Sequence, residues 1–279
     1  MGHEQVVDGF LFESEDVLAE AKKELEGVRY MKARMDLQHP EQVLQVPIRI
    51  GDEDYNHIHN VLRMKPGEEV LVTDQGEKEY LCEIIEYDTD MQEVLLKIVD
   101  IFGNNRELPA KIILFQGYPK GDKMEQIVQK AVELGVAEVV PVMMKRCVVK
   151  LDDKKAAKKI ERLNGVALSA AKQSKRGRIP EVKPVMSMED AVPYASTLDH
   201  VIVPYESAEG MEYSKKVIEQ VTDGGSIGIF IGPEGGFEPT EIEKLSGIDA
   251  KILSLGHRIL RTETAGMVVL SLLMFALEK

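Results

Sequence analysis

The chain has 279 residues, of which 44% are hydrophobic and 30% charged, and its formal net charge is −13. These values are typical of a globular protein with one large domain or two smaller ones. The first residues are acidic, unlike a secretory signal, and the longest apolar run falls short of the roughly 20 residues that cross a bilayer. We therefore expect a cytoplasmic protein without a membrane span. Two distant cysteines and the absence of metal-ligand spacings predict neither a disulfide framework nor a metal site.

One basic segment stands out in this acidic chain. Residues 145–183 contain 13 Lys and Arg against 4 Asp and Glu. Lysine runs are usually a solvated helix face. Here the basic residues also flank a glycine-containing loop, KQSKRGRIP, from which a side chain can reach a ligand. The segment therefore favours contact with a phosphate backbone over the solvated face.

The first part of the chain divides into two regions. Residues 1–45 show no chemistry; within them SEDVLAEAKKELEG predicts a short helix with Ser14 as N-cap and Gly27 as its end. Residues 46–103 change to short alternating runs, which predict a small antiparallel barrel or sandwich. Its strands are expected at EEVLVT, EYLCEIIEY and EVLLKIV, with turns at 74–76 and 88–90 and a linker at Gly103-Asn104-Asn105.

From residue 108 to the end, strand and helix patterns alternate. The predicted strands are KIILFQ, AEVVPVM, EVKPV, DHVIVP, SIGIFI and KILSL. This alternation predicts an α/β domain with a parallel sheet covered on both faces. Such sheets bind ligands beyond the carboxyl ends of their strands, so the loops of interest are 203–206, 232–236 and 255–265. The final helix is apolar nearly all round, which indicates burial in a core or a subunit interface.

The loop GPEGG at 232–236 follows a buried strand, and its glycines allow a close backbone approach. A phosphate-binding loop needs a lysine, and a dinucleotide fingerprint needs G-x-G-x-x-G; both are missing here. Glu234 and Glu238 stand where anions would sit. The loop therefore favours a neutral or cationic ligand such as S-adenosylmethionine, while the alternative is that Gly235 and Gly236 only form a turn.

Several separated motifs then agree in order. IGPEGGF followed by LSLGHRILRTETA resembles the RsmE family, SPOUT-class methyltransferases that methylate N3 of a uridine in 16S rRNA. The resemblance extends from about Val46 to the end. Its other motifs are NHIHNVLRMKPGEEV (56–70), QGYPKGDKMEQIVQKAVELGV (116–136), KRCVVK (145–150) and AAKQSKRGRIP (170–180).

The resemblance implies a fold, a cofactor and partners. The fold is a small N-terminal PUA-like β-barrel that binds RNA, followed over 108–279 by a SPOUT α/β domain with a deep trefoil knot. The partners are 16S rRNA in the 30S subunit and a second copy of the chain in a homodimer. S-adenosylmethionine would be held by Val203, Pro204, Gly232, Glu234, Gly235, Gly236, Leu255, Gly256, Ile259, Leu260 and Arg261.

The chemistry suggests catalytic roles for Arg261 and Glu263. N3 of uracil must lose a proton to attack the methyl group, and Arg261 would stabilise the resulting anion. Glu263 or a water would take the proton; alternatively, Arg261 and Glu263 cap the helix or pair across an interface. The candidates for RNA contact are Arg63, Lys65, Lys120, Arg146, Ser174, Lys175 and Arg176.

Two other functions stay open on the sequence. One is a related SPOUT methyltransferase that acts on another RNA. The other is a catalytically inactive RNA-binding protein that keeps the fold. The intact GPEGG and LRTETA segments favour an active enzyme over the second alternative.

Overall fold

The computed structural model describes residues 6–8, 47–73, 78–103, 106–149, 151–206, 210–221 and 224–278. Contacts divide the chain into two compact units, Met1–Arg106 and Glu107–Lys279. The helix predicted at 14–27, the turn at 74–76 and the centre of the proposed linker lie outside the described residues.

The first unit contains a five-stranded sheet. Its strands are β1 (Val6–Asp8), β2 (Pro47–Ile50), β3 (Glu69–Thr73), β4 (Lys78–Asp88) and β5 (Glu93–Gly103), in the order β1-β3-β4-β5-β2. The β2–β5, β3–β4 and β4–β5 pairs are antiparallel, which confirms the three predicted strands and their arrangement.

Local chemistry explains the turn between β4 and β5. The Asp88 side chain accepts hydrogen bonds from the backbone N–H groups of Asp90 and Met91 at 3.1 and 3.0 Å, a bonding pattern that favours turns. The sequence missed one element here, a short α-helix, α1 (Asp52–Asn56), which continues as a π-helical turn over His57–Val61. Its length is too short for a hydrophobic period to identify it.

The second unit is built on a seven-stranded parallel sheet, which confirms the predicted α/β class. The strand order is β12-β10-β11-β6-β7-β8, with β9 also paired to β7. The strands are β6 (Ala110–Gly117), β7 (Glu138–Met143), β8 (Glu181–Val182), β9 (Met186–Ser187), β10 (His200–Pro204), β11 (Gly225–Ile231) and β12 (Lys251–Leu253).

Six helices cover this sheet. They are α2 (Lys123–Glu133), α3 (Asp153–Gln173), α4 (Met188–Ala195), α5 (Met211–Gln220), α6 (Pro239–Ser246) and α7 (Thr262–Leu277). The Ser187 hydroxyl accepts a hydrogen bond from the backbone N–H of Asp190 and so caps α4. The start of α2 has no such cap, because the Asp122 side chain makes no hydrogen bond to the helix and Glu125 pairs with Arg162.

The two faces of the parallel sheet carry separate apolar clusters. One face holds Ile112, Leu114 and Ile229 under α2, α3 and α7. The other holds Phe115 and Phe230, whose rings stack at 4.4 Å between centroids. Such burial on both faces explains why the strands read as continuous apolar runs.

Strand order decides where the ligand loops meet. β11 lies between β6 and β10, and β12 lies on the far side of β10. Because all these strands are parallel, the residues that follow β6, β10, β11 and β12 lie along one edge of the sheet. The trefoil knot implied by the family resemblance stays a prediction.

Arg176 is a structural residue in this fold, which corrects its assignment as an RNA contact. Its side chain is 4% exposed, and its guanidinium donates to the carbonyl oxygens of Val132 and Val136 at 3.0 and 2.6 Å. The same group makes two hydrogen bonds with the Glu107 carboxylate. A buried guanidinium with these partners cannot reach RNA in this arrangement.

Replacing Arg176 by Met should lower the free energy of unfolding by about 3 kcal/mol, because it leaves a largely buried carboxylate at Glu107 without its partner. Urea denaturation would measure the change. The matched control is Arg178→Met, since the Arg178 side chain is exposed and only its backbone N–H bonds Glu107. Equal destabilisation by both substitutions would contradict the buried role of Arg176.

Candidate active site

A cavity of about 1130 Å³ lies at the carboxyl ends of the strands. The three loops that the sequence singled out, after β10, β11 and β12, all line it. Two further segments contribute basic side chains. Lys120 lies between β6 and α2, Lys123 is the first residue of α2, and Arg146 follows β7. The strand ends therefore form one common site, as parallel sheet topology predicts.

The GPEGG loop lies against the protein's own backbone as well as the cavity. The Gly236 N–H donates to the Pro233 carbonyl oxygen at 2.9 Å and closes a tight turn, as the turn alternative predicted. A Cβ at Gly235 would lie 2.9 Å from Cβ of Arg146, and one at Gly117 would lie 2.5 Å from the backbone N of Pro233. The loop backbone therefore packs closely against the end of β6 at Gly117, a glycine that the sequence analysis did not single out.

The acidic residues of this loop are paired with cations. Glu234 lies 3.2 Å from the Lys123 ammonium and accepts a hydrogen bond from the backbone N–H of Lys120. Burial acts to raise the pKa of Glu234, but hydrogen bonds from backbone amides and from Lys123 outweigh it and lower the pKa. Glu234 therefore lines the cavity as part of an ion pair that the sequence analysis did not predict.

Glu238 has its own partner in Arg146. The Arg146 Nε donates to Glu238 at 2.7 Å, and Nη1 of the same guanidinium donates to the Gly235 carbonyl oxygen at 3.0 Å. The hydrogen bond from Arg146 lowers the pKa of Glu238. Arg146 therefore fixes the shape of the loop while its side chain also lines the cavity.

A buried hydrogen-bond chain connects the loop to the last helix. Thr262 Oγ1 donates to the Gly232 carbonyl oxygen at 2.6 Å and accepts from Nε2 of Gln116 at 2.8 Å. Gln116 is fully buried at the end of β6, and Thr262 is the first residue of α7. The ends of β6 and β11 and the start of α7 are thereby held together.

Arg261 lies at the N-cap of α7 and its side chain is exposed along the cavity wall. No carboxylate among the described residues is within ion-pair distance of its guanidinium. The helix N-terminus adds positive potential at this point. Arg261 thus presents an unpaired positive charge to whatever occupies the cavity.

Glu263 lies beside the cavity without lining it. Its Oε2 is 3.3 Å from the Lys123 ammonium, and within the part of the chain that the structure describes this atom has no hydrogen-bond partner. Glu263 therefore forms an ion pair within its own chain, a role that the sequence analysis did not consider.

The structure brings together most of the residues that the sequence assigned to the cofactor. Val203 is the exception, because it is buried in β10 and does not line the cavity. The lining residues are Pro204, Gly232, Glu234, Gly235, Gly236, Leu255, Gly256, Ile259, Leu260 and Arg261.

The RNA candidates fall in several places. Lys120 and Arg146 line the cavity, whereas Ser174 and Lys175 lie at the end of α3 and do not. The Ser174 hydroxyl donates back to the Ala170 carbonyl oxygen at 2.7 Å, and Lys175 is exposed with φ of 56°. In the first unit, Arg63 and Lys65 are both exposed.

Three lining residues, Lys123, Met211 and Phe237, lie outside the residues and loops that the sequence singled out. Tyr205 and Arg258 lie within two of those loops but had no assigned role. No helix in the described ranges is long and apolar enough to cross a membrane, and none of the described His, Cys, Asp and Glu residues form a group of three or more that could hold a metal ion.

Comparisons with known proteins agree with this geometry. Residues 106–274 match the RNA methyltransferase domain family, and residues 50–90 match the RNA methyltransferase PUA domain family. The ribosomal RNA small subunit methyltransferase E of Bacillus subtilis is 38% identical over 242 residues, which cover 85% of this chain and 94% of the relative.

Solved structures give the same result. A putative methyltransferase from Legionella pneumophila in complex with the bound cofactor SAM has a TM-score of 0.69 and 33% identity, covering 82% of this chain and 92% of that one. Ribosomal RNA small subunit methyltransferase E from Neisseria gonorrhoeae, bound to S-adenosyl methionine, also has a TM-score of 0.69, with 28% identity and coverage of 82% and 91%.

Fold, site and domain matches together define an RNA methyltransferase of the SPOUT class that carries a PUA domain. More narrowly, the chain belongs to the ribosomal RNA small subunit methyltransferase E (RsmE) family. The family resemblance read from the sequence motifs is confirmed.

Gly117→Ala should weaken S-adenosylmethionine binding at least about tenfold, which corresponds to about 1.4 kcal/mol. The reason is that its Cβ would overlap the backbone of Pro233 and Gly232, so the loop must move. Calorimetric titration measures the effect. In the control Gly165→Ala, the new Cβ in α3 meets nothing within 4 Å, and binding should be unchanged. Unchanged affinity in Gly117→Ala would show that the loop position is unimportant.

Proposed function

We propose that the protein is an S-adenosylmethionine-dependent methyltransferase that methylates N3 of a specific uridine in 16S rRNA of the small ribosomal subunit. The observation that carries the proposal is the cavity at which three strand-end loops meet beside Arg261, a cation with no ion-pair partner among the described residues. The names of the relatives and the cofactor in two similar structures support it.

The cavity fits this cofactor in its chemistry. Its walls include the apolar side chains of Leu255, Leu260 and Phe237, suited to an adenine ring, and several backbone segments with exposed polar groups. Gly256, with φ of 107°, lets the backbone turn beside the cavity. The Glu234 carboxylate, which is ionised and lines the cavity, can also accept a hydrogen bond from the ammonium of an amino-acid moiety. Pro204, Gly232, Gly235, Gly236 and Ile259 complete the proposed cofactor-binding set, in which Val203 contributes only as part of the supporting strand.

When bound, the cofactor supplies an electrophilic methyl group attached to a sulfonium. Transfer of this group needs no metal. The protein's part is to place the uracil N3 in line and to stabilise the negative charge on the base as its proton leaves. Arg261 is the proposed group for that charge, because its guanidinium lies at a helix N-terminus and has no carboxylate partner in the part of the chain that the structure describes. Arginine stays protonated, so Arg261 is not the base.

The proton from N3 goes to water in this proposal, with Glu263 as the second option. Glu263 does not line the cavity and is engaged with Lys123, which argues against direct contact with the substrate. A water in the cavity can reach both the base and the bulk solvent without any movement of α7.

Two surfaces are proposed to hold the RNA. In the second unit, Lys120 and Arg146 lie at the cavity. Lys175 follows the end of α3, and the exposed Lys154, Lys155, Lys158 and Lys159 lie at the start of the same helix. In the first unit, assigned to residues 46–103 as an RNA-binding PUA domain, Arg63 and Lys65 are the contacts. Ser174 stays a candidate for RNA contact. Arg176 is buried and bonds the Val132 carbonyl oxygen, so its role is structural. Phosphate contacts of this kind position the RNA without reading its sequence.

A homodimer is the proposed assembly, in the cytoplasm where ribosomes are made. The last helix, α7, buries Leu273 and Leu277 but leaves Leu272 and Phe275 43% and 84% exposed. Residues three apart lie on the same helix face, so these two form an apolar surface. A second copy of the chain would cover it.

The direct test is mass mapping of 16S rRNA from cells with and without the gene, together with methylation assays on 30S subunits, free 16S rRNA, 23S rRNA and tRNA. Loss of one 3-methyluridine from 16S rRNA, with activity confined to small-subunit RNA, is the expected result. Methylation of another RNA class would instead indicate a related enzyme, and a protein that binds RNA without binding S-adenosylmethionine would indicate an inactive one.

Arg261→Ala should lower kcat by a factor on the order of 100 to 1000, the range for loss of one oxyanion-stabilising group. Cofactor affinity should stay within a few fold, because the loop backbone is unchanged. Single-turnover methylation and calorimetry measure the two quantities. Lys215→Ala, an exposed cation on α5, serves as the control; near-normal turnover of Arg261→Ala would remove this residue from the mechanism.

Phe275→Glu should convert the dimer to a monomer in sedimentation equilibrium, because it places a charge at the centre of the exposed apolar face of α7. Val148→Glu is the matched control, since Val148 is a 74% exposed apolar side chain that does not belong to α7. A dimer that persists in Phe275→Glu would place the interface elsewhere.

A further inference from the structure

We propose that Lys123 is a positioning residue for methyl transfer, which holds the glycine-rich loop and the start of the last helix together around the cavity. The inference rests on the proposed function, because it concerns the same cavity. The Lys123 ammonium lies 3.2 Å from Glu234 Oε1 and 3.3 Å from Glu263 Oε2. One cation thus bridges two carboxylates that are far apart in sequence.

The environment of Lys123 distinguishes it from a phosphate-binding lysine. Its side chain is only 26% exposed and both of its partners are carboxylates. A hydrogen bond with Glu234 and the charge of the neighbouring Glu263 carboxylate raise the pKa of Lys123, so the ammonium stays charged throughout the neutral range. The nearby Lys120, by contrast, is exposed and engages Glu234 only through its backbone N–H.

Both carboxylates depend on this one cation. Within the described part of the chain, Lys123 is the ion-pair partner of Glu263, whose Oε2 is buried and accepts no hydrogen bond. Glu234 has backbone donors in addition but no second cation. Without the ammonium, two like charges would face each other across a partly buried gap, and repulsion would separate the segments that carry them.

The two segments that Lys123 connects have different roles in the proposed reaction, one in holding the cofactor and one in stabilising the base. Glu234 belongs to the loop that is assigned to the cofactor, and Glu263 follows Arg261 by two residues. The neutral hydrogen bond from Thr262 to Gly232 connects the same two segments and does not depend on charge. Loss of Lys123 should therefore loosen the relative position of loop and guanidinium rather than unfold the unit, and small misplacements of reacting groups are costly in rate.

The test compares Lys123→Met, Lys123→Arg and Lys130→Met in the full-length protein. Lys130 is the matched control because it lies on the same helix, forms a comparable ion pair with Glu133 at 2.7 Å and does not line the cavity. The measurements are the Kd for S-adenosylmethionine by calorimetry, kcat and KM on 30S subunits, and the thermal midpoint.

Lys123→Met should raise the cofactor Kd about tenfold, the effect of losing one charge-assisted hydrogen bond. Its kcat at saturating cofactor should also fall about tenfold or more, because the guanidinium of Arg261 is displaced. Lys123→Arg keeps the charge and should recover most of both losses, and Lys130→Met should match the wild type. In the double variant Lys123→Met/Glu234→Gln, part of the kcat loss should be restored, since one of the facing charges is gone.

Wild-type kcat and Kd in Lys123→Met would overturn the proposal. Equal losses in Lys123→Met and Lys123→Arg, accompanied by equal falls in the thermal midpoint, would also overturn it, since the role would then be structural only. If Lys123→Met does not fold, Lys123→Arg and the double variant decide in the same way. A wild-type protein that fails to bind S-adenosylmethionine would contradict the proposed function instead, so the two failures are distinguishable.

Discussion

The parallel pairing of β6 with β11 is the constraint on which the site depends. Seven residue pairs hold these strands in register, from Gly225 opposite Ala110 to Ile231 opposite Gln116. The strands therefore end together, and Gly117 at the end of β6 lies so close to the loop that an added Cβ would be 2.5 Å from the backbone N of Pro233 and 2.9 Å from the carbonyl carbon of Gly232. A different register would carry the GPEGG loop away from Gln116 and from the start of α7, and the cavity would lose one wall.

Charge neutralisation within the wall is the second general feature. The glycines of the GPEGG loop permit close packing. Glu234 in the loop and Glu238 just after it would repel nearby carboxylates if neither had a cationic partner. Lys123 forms an ion pair with Glu234, and Arg146 forms one with Glu238. Arg261 is left as an unpaired cation in the described part of the wall. The protein thereby separates charges that shape the site from a charge that is available to the substrate.

Much of this fold could be read from the sequence, because local signals and the global arrangement agree. The strand at 226–231 and the helix that starts at Pro239 follow from periodicity and proline placement. The π-helical turn at 57–61 could not be predicted, since it is short and follows no hydrophobic period. Within the site, residues on loops that follow strands were found by position, whereas Gln116 was not, because a buried glutamine inside an apolar strand gives no sign of its partner Thr262.

The last helix links two surfaces that have been described separately. It starts at the cavity wall with Thr262 and, after 16 residues, ends near the exposed ring of Phe275. At 1.5 Å per residue this is a rod of roughly 24 Å. The apolar surface proposed for a second copy and the segment that carries Arg261 therefore lie at opposite ends of a single rigid element.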